Sequence, residues 1–301
     1  MTAPTSSSTP LTHTVTGAGP AAGFVISGRS NRHLRRAARP DVPLVVALHG
    51  GTYTSEYFDI AGHSLLRRGA DLDIPVIALD RPNYAGSSPL ETDGSIIVAN
   101  ADVLGEVLGE IWAEYGADTS GIVLVGHSIG AAVVTAIAAR PQSWPLLGIA
   151  ISGCLVSVPQ QSRAAWESLP DIPMIDLPTP MKDQVMFGPA GSYGPDMPAA
   201  SHPSNALVPK AELLDITGTW IAGRAAFCAE VPVPVHHRQG EFDHLWITDP
   251  GQIDSFRTGF TAAPSVDSRI QPGSGHCIDF HRAGAAFQVG QLSFALECCL
   301  T

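Results

Sequence analysis

Residues 122–130 read Ile122-Val123-Leu124-Val125-Gly126-His127-Ser128-Ile129-Gly130, and the rest of the chain is best read outward from them. Ile122 to Val125 is a continuous apolar run, as expected of a strand buried on both faces of a parallel sheet. Gly130 to Arg140 is a small-residue helical run stopped by Pro141. Gly126-x-Ser128-x-Gly130 therefore lies on a strand-turn-helix junction, and the pattern occurs once in the chain. A serine on so sharp a turn projects its hydroxyl, and bulk at either flanking glycine would strike the neighbouring strand or helix backbone. The helix start adds unpaired N–H groups and positive partial charge beside that hydroxyl.

Upstream, Pro43 to Leu48 and Pro75 to Leu79 are two more buried-strand runs, with Tyr57 to Gly69 reading as a helix between them. A short strand pair is expected within Thr12 to Ser27, after a Ser/Thr/Pro-rich stretch, 1–11, expected to be disordered. Ile96 to Tyr115 carries Val103, Val107, Leu108 and Ile111 at helical spacing. Leu147 to Ser152 is a fourth buried strand. Prolines then crowd residues 154–230, between helical patches at Gln161 to Leu169 and Ala211 to Ala229, so this segment reads as an insertion. Alternation resumes with a strand at Val233 to His237, a helix near Gly251 to Gly259, a strand near Ser265 to Ile270 and a final helix from about Asp279 to Leu300. The expected fold is α/β: a mostly parallel central sheet with helices on both faces, built from 12–153 and 231–301.

Composition narrows the function. Lys and Arg number 17 against 28 Asp and Glu, a net charge of −11, which argues against an electrostatic grip on nucleic acid or anionic lipid. Hydrophobic residues at 45% with 15% charged supply enough apolar material for a sizeable core. Five cysteines, Cys154, Cys228, Cys277, Cys298 and Cys299, form no C-x-x-C pair and suit a reducing compartment. The first residues lack a signal peptide's charged and apolar regions, and no run reaches the length of a membrane span. The expectation is a cytoplasmic protein with a small-molecule partner; a homo-oligomer stays open.

On these motifs the chain resembles the α/β-hydrolase superfamily, over nearly its whole length after about residue 40. His49-Gly50-Gly51-Thr52 follows a buried strand where that family carries its oxyanion loop, and Asp80-Arg81-Pro82-Asn83-Tyr84-Ala85-Gly86-Ser87-Ser88 is similar to its D-x-P-G-x-G-x-S stretch. Asn83 and Ala85 depart from that pattern. The resemblance implies Ser128 as nucleophile, His276 in Gly273-Ser274-Gly275-His276 as base, and Asp243 in Gly240-Glu241-Phe242-Asp243 as the acid that orients it, with Glu241 and Asp249 as rivals. It also implies an oxyanion hole from the N–H of Gly51, or alternatively Thr52, and the N–H of Ile129. Residues 154–230 would then be a cap over the site, with Tyr53, Tyr84, Trp166, Met186, Phe187 and Trp220 as candidate pocket residues.

Other features read as structural. His127 supports the turn; His236, His237, His244 and His281 match no zinc spacing, so no metal or cofactor is expected. Cys298-Cys299 reads as packing, and Gly17-x-Gly19 as a turn. The expected activity is a serine hydrolase acting through an acyl-enzyme on an ester, thioester or lactone of a mainly apolar small molecule. The alternatives are an acyl-transfer or cyclising enzyme, a lyase, or a non-catalytic binding protein on the same fold.

Overall fold

The computed structural model describes residues 8–31 and 40–300. Its sheet has eight strands: β1 (Ser8–Thr14), β2 (Val25–Asn31), β3 (Leu44–Leu48), β4 (Val76–Leu79), β5 (Ile122–His127), β6 (Leu146–Ser152), β9 (Val235–Gly240) and β10 (Val266–Gln271), in the order β1-β2-β4-β3-β5-β6-β9-β10. β1–β2 and β2–β4 pair antiparallel and the remaining neighbours are parallel. The expected α/β class and mostly parallel sheet are thus present. The expected disordered stretch 1–11 lies outside the described residues as far as residue 7, whereas Ser8 to Leu11 are already in β1. Leu11 and His13 face inward there, so period-two burial outweighs the polar composition.

Successive residues of β3 and β5 feed opposite faces of the sheet. Val46, Leu48 and Leu124 pack with α2 (Ile96–Ile111), α3 (Ile129–Ala138) and Phe256 of α9 (Pro250–Thr258). Val45, Ala47 and Val125 pack with α1 (Leu65–Asp71) and Leu292 and Ala295 of α10 (Gly284–Glu297). Two expected helices outside 154–230 differ from the structure. Tyr57 to Gly69 splits into a 3₁₀ turn, Ser55–Asp59, and α1, because Gly62 turns the chain at φ +79 and Ser64 caps a new start by accepting from Arg67 N–H. The final helix begins at Gly284, after a separate 3₁₀ turn Ile278–Phe280 that places Asp279 inside.

Between β6 and β9 the chain forms α4 (Gln160–Glu167), β7 (Met174–Ile175), α5 (Thr179–Met186), α6 (Met197–Ser201), β8 (Val208–Pro209), α7 (Lys210–Thr217) and α8 (Thr219–Glu230). β7 and β8 form a two-residue antiparallel pair of their own. The five cysteines form no disulfide, and Cys298 is buried beside half-buried Cys299.

Candidate active site

Ser128 closes the tight turn between β5 and α3 at φ 55, ψ −121, a backbone conformation that L-residues rarely adopt. The flanking glycines are required by distance. A Cβ at Gly126 would lie 2.7 Å from the Cα of Ala131, and one at Gly130 would lie 2.2 Å from the carbonyl oxygen of Leu48. The Ser128 N–H donates to the Ser152 carbonyl at 2.8 Å, which ties the turn to β6. Ile129 opens α3, where N–H groups have no partner within the helix.

The loop after β3 packs directly on this turn. A Cβ at Gly50 would approach Ser128 Cβ to 2.8 Å, and one at Gly51 would meet the Ile129 side chain at 2.9 Å. His49 Nδ1 donates to the Gly50 carbonyl at 2.7 Å, while its Nε2 accepts from the Arg81 N–H at 3.1 Å. Burial, helped by Arg81, holds the His49 imidazole well below its ordinary pKa, so it stays neutral and can accept. Arg81 is itself fully buried. It donates to the His49 and Gly50 carbonyls and to both oxygens of Glu212 on α7, at 2.6 and 2.9 Å. Burial alone would lower the guanidinium; Glu212 raises it above its ordinary value.

His276 Nδ1 lies 2.7 Å from Asp243 Oδ2, and both side chains are almost wholly buried. Asp243 also accepts from Gln239 Nε2 at 2.6 Å and from the Leu245 N–H at 2.8 Å, so its orientation is fixed from three sides. The rivals Glu241 and Asp249 serve the backbone instead: Glu241 accepts from the Gly273 N–H and Asp249 caps α9. His276 Nε2 is buried without a hydrogen-bond partner among the described residues. Its ring lies 4.9 Å from that of His127, the residue before Ser128. His127 stacks on Tyr57 at 4.6 Å, and burial, with His276 and His49 nearby, keeps it well below its ordinary pKa.

The sequence reading gave His281 no role, yet it braces this loop. Its Nε2 accepts from the N–H groups of Gly275 and Gly188, at 2.9 and 3.0 Å, and its Nδ1 donates to the Cys277 carbonyl. Burial lowers its pKa, in keeping with a ring that must accept. A histidine five residues beyond His276 carries no sequence signal for such bracing.

A narrow pocket opens at Ser128. Gly51, Thr52 and Ile129 line it on one side and Val158, Trp166, Leu177, Met186, Leu213, Ile216, Thr217, Leu245 and Trp246 on the others. Of the expected pocket residues, Trp166 and Met186 are there. Tyr53, Tyr84, Phe187 and Trp220 are not; they are core. The Tyr84 hydroxyl donates to Glu212 at 2.7 Å, Tyr53 lies under the ammonium of Lys182 and beside Cys277, Phe187 packs on Tyr193 and Trp220 stacks on Phe227. Large apolar groups prefer interiors, and a loop address near the site does not override that preference. The sequence missed the other walls, above all Leu245 and Trp246, two and three residues after Asp243. Among the described residues no cluster of His, Cys, Asp or Glu could hold a metal ion. Among the described residues no helix is long and apolar enough to cross a membrane.

A serine hydroxyl on a strained turn, an imidazole with one nitrogen held by a carboxylate and the other unpaired, and N–H groups at a helix start are the parts that acyl transfer uses. Comparison with solved structures returns the same architecture. A thermophilic esterase from Thermogutta terrifontis superposes with a TM-score of 0.68 at 13% identity, covering 96% of this chain and 99% of its own. An esterase from Exiguobacterium antarcticum gives 0.66 at 13% identity, with 91% and 96% covered. The thioesterase domain of the curacin biosynthetic pathway gives 0.58 at 16% identity, with 94% and 99% covered. Among curated proteins no sequence matches. The family model described as the alpha/beta hydrolase family matches residues 45–287, most of the chain's length, and the protein belongs to that family.

Proposed function

We propose that the protein is a serine hydrolase that cleaves an ester or thioester bearing a small, uncharged, apolar acyl group. The observation that carries this reading is the His276–Asp243 pair, buried at 2.7 Å with Nε2 unpaired, next to the turn that presents Ser128 to an apolar pocket. Ser128 Oγ attacks the carbonyl carbon as its proton passes to His276 Nε2. The N–H groups of Gly51 and Ile129 stabilise the oxyanion, and Asp243 stabilises the imidazolium that forms. The proton then goes to the leaving alcohol or thiol. Water, deprotonated by His276, releases the acid and restores Ser128. Residues 154–230 act as a cap: Trp166, Leu177, Met186, Leu213 and Ile216 supply most of the pocket wall.

The substrate class follows from the lining. Apart from Ser128, its side chains are apolar save Thr52 and Thr217, and the Thr217 hydroxyl is already used on the Leu213 carbonyl. No charged side chain lines it, so a carboxylate or ammonium in the acyl part would be desolvated without a partner. The same apolar walls favour a second reading in which a substrate hydroxyl displaces water as acceptor. Product mass separates them, because hydrolysis adds water and transfer or cyclisation does not.

The test is turnover of short- and medium-chain nitrophenyl esters, with fluorophosphonate labelling, by wild type and Ser128→Ala. The expected result is that labelling disappears and kcat/KM falls by about 10³-fold or more in the variant. Turnover and labelling unchanged in Ser128→Ala would overturn the reading.

A further inference from the structure

Thr52 carries two costs at once. Its hydroxyl oxygen is buried with no hydrogen-bond partner among the described residues, in a residue that lines the pocket beside Ser128. Its backbone lies at φ 66, where a β-branched residue is an outlier. Glycine here would relieve the strain, and valine would remove the unmet hydroxyl; the chain has neither. Elements outside the loop impose the conformation. The Thr52 carbonyl accepts from Lys182 Nζ at 2.6 Å and from the Ala206 N–H at 2.9 Å, both in the 154–230 segment. Lys182 is buried, sits 3.4 Å from the Tyr53 ring and also donates to Asn205 Oδ1, so its amine is fixed between the loop it holds and the 154–230 segment. An over-determined, strained residue with an unspent polar group in a pocket is expected where the group meets a ligand.

We propose that the Thr52 hydroxyl is a third donor to the substrate carbonyl oxygen at Ser128, beside the Gly51 and Ile129 N–H groups, and that Lys182 is the positioning residue that presents it. The inference rests on the Ser128 reading above. As charge builds on the carbonyl oxygen, the rotatable Thr52 O–H turns to donate to it; no proton is transferred. A hydroxyl suits the place because its one torsion lets it follow the oxygen from planar ester to tetrahedral intermediate.

Thr52→Val keeps the branched shape and the backbone strain and deletes only the hydroxyl, whereas Thr52→Ser keeps the hydroxyl. With a short nitrophenyl ester, Thr52→Val is expected to lose about 10- to 100-fold in kcat with KM nearly unchanged, and Thr52→Ser to retain most of the rate. Fluorophosphonate labelling of Ser128 should slow in parallel, since its P=O occupies the same position. Lys182→Met should lower kcat in the wild-type background and have little further effect in Thr52→Val. If Thr52→Val does not fold, Thr52→Ala against Thr52→Ser gives the same comparison. Wild-type rates in Thr52→Val, or equal losses in the valine and serine variants, would overturn the proposal. Ser128→Ala separates the two levels. Signals that persist there remove the Ser128 reading and this inference with it; signals that vanish there but survive in Thr52→Val remove this inference alone.

Discussion

In β3 and β5 every residue is buried, and alternate apolar side chains are divided between the two faces of the sheet. The single turn of α7 that meets the sheet's carboxyl edge buries charge instead: Glu212 pairs with Arg81, and three residues on, Asp215 accepts from Ser95 Oγ and the Ile97 N–H at the start of α2. On α5, Lys182 likewise reaches the Thr52 carbonyl. The sheet is held by non-directional burial, which tolerates exchange of one aliphatic residue for another. The 154–230 segment adds directional contacts from buried polar side chains, and those of Glu212 and Lys182 end on the loops after β4 and β3. The difference teaches that the segment is registered to the site as well as packed over it. A shift of α7 or α5 would move the carbonyls of Gly50 or Thr52, and with them the N–H groups of that loop.

Acid should produce the largest effect, on the core side of this comparison. Burial first, then neighbouring cations or His236, lowers His236 to about 4 and His237 to about 3, both on β9. A histidine with a depressed folded pKa contributes stability that is fully present above its unfolded value near 6.5 and is lost as pH falls toward the folded value. From 6.5 to 4 and from 6.5 to 3, the two together represent a loss on the order of 8 kcal/mol by pH 3, at about 1.4 kcal/mol per pH unit for each. Burial raises Asp279, which offsets part of this, because its protonation with falling pH favours the folded state. Urea unfolding midpoints between pH 7 and 4 check the slope. A midpoint that held constant over that range would contradict the buried neutral imidazoles.

Next in size is Glu212→Gln, aimed at the other region. It leaves the fully buried Arg81 without its countercharge and is expected to cost about 3–5 kcal/mol, read as a lower urea midpoint. Limited proteolysis sharpens the comparison: cleavage should appear first within 154–230 while the sheet survives. Arg81→Met combined with Glu212→Met should recover much of the stability, because it removes both charges together. Recovery of folding without recovery of ester turnover would tie the pair to the loop geometry at Gly50, beyond stability alone.

The same contrast explains what was legible in sequence. β3, β4, β5 and β6 are announced by unbroken apolar runs, and the turn at Ser128 by two glycines that distance forbids replacing. Asp243 and His276, placed from a resemblance in order and spacing, do lie together at 2.7 Å. The polar network was not legible. Arg81 and Glu212 are 131 residues apart, Lys182 and Thr52 130, and no local period encodes such a pairing. Tyr84 shows the cost of reading position alone: its loop address suggests a pocket residue, but its hydroxyl completes the Glu212 network and its ring lies in the core. The split of Tyr57 to Gly69 was missed because amphipathic spacing continues across Gly62, where the backbone turns.

The smallest effect expected here lies in the loop after β4, where Asn83 and Ala85 replace glycines of the family pattern. Both residues have positive φ, 74 and 48, so the pattern's backbone survives without its glycines. They meet the strain differently. Asn83 spends its side chain on the loop, accepting from the Leu90 N–H at 2.8 Å and donating to the Leu90 carbonyl at 3.1 Å. Ala85, exposed at the surface, has only a Cβ and gains nothing to offset the left-handed conformation. Ala85→Gly should therefore stabilise the protein by up to about 1 kcal/mol, the relief of strain exceeding the added freedom of the unfolded chain. Asn83→Gly should destabilise it, because two hydrogen bonds are lost for a conformation that asparagine already tolerates. Thermal unfolding of the two variants should shift Tm in opposite directions, upward by about 1–3 °C for Ala85→Gly. Equal shifts would mean that the loop is held by its surroundings, as the 154–230 segment is, and that its own backbone preferences are overridden.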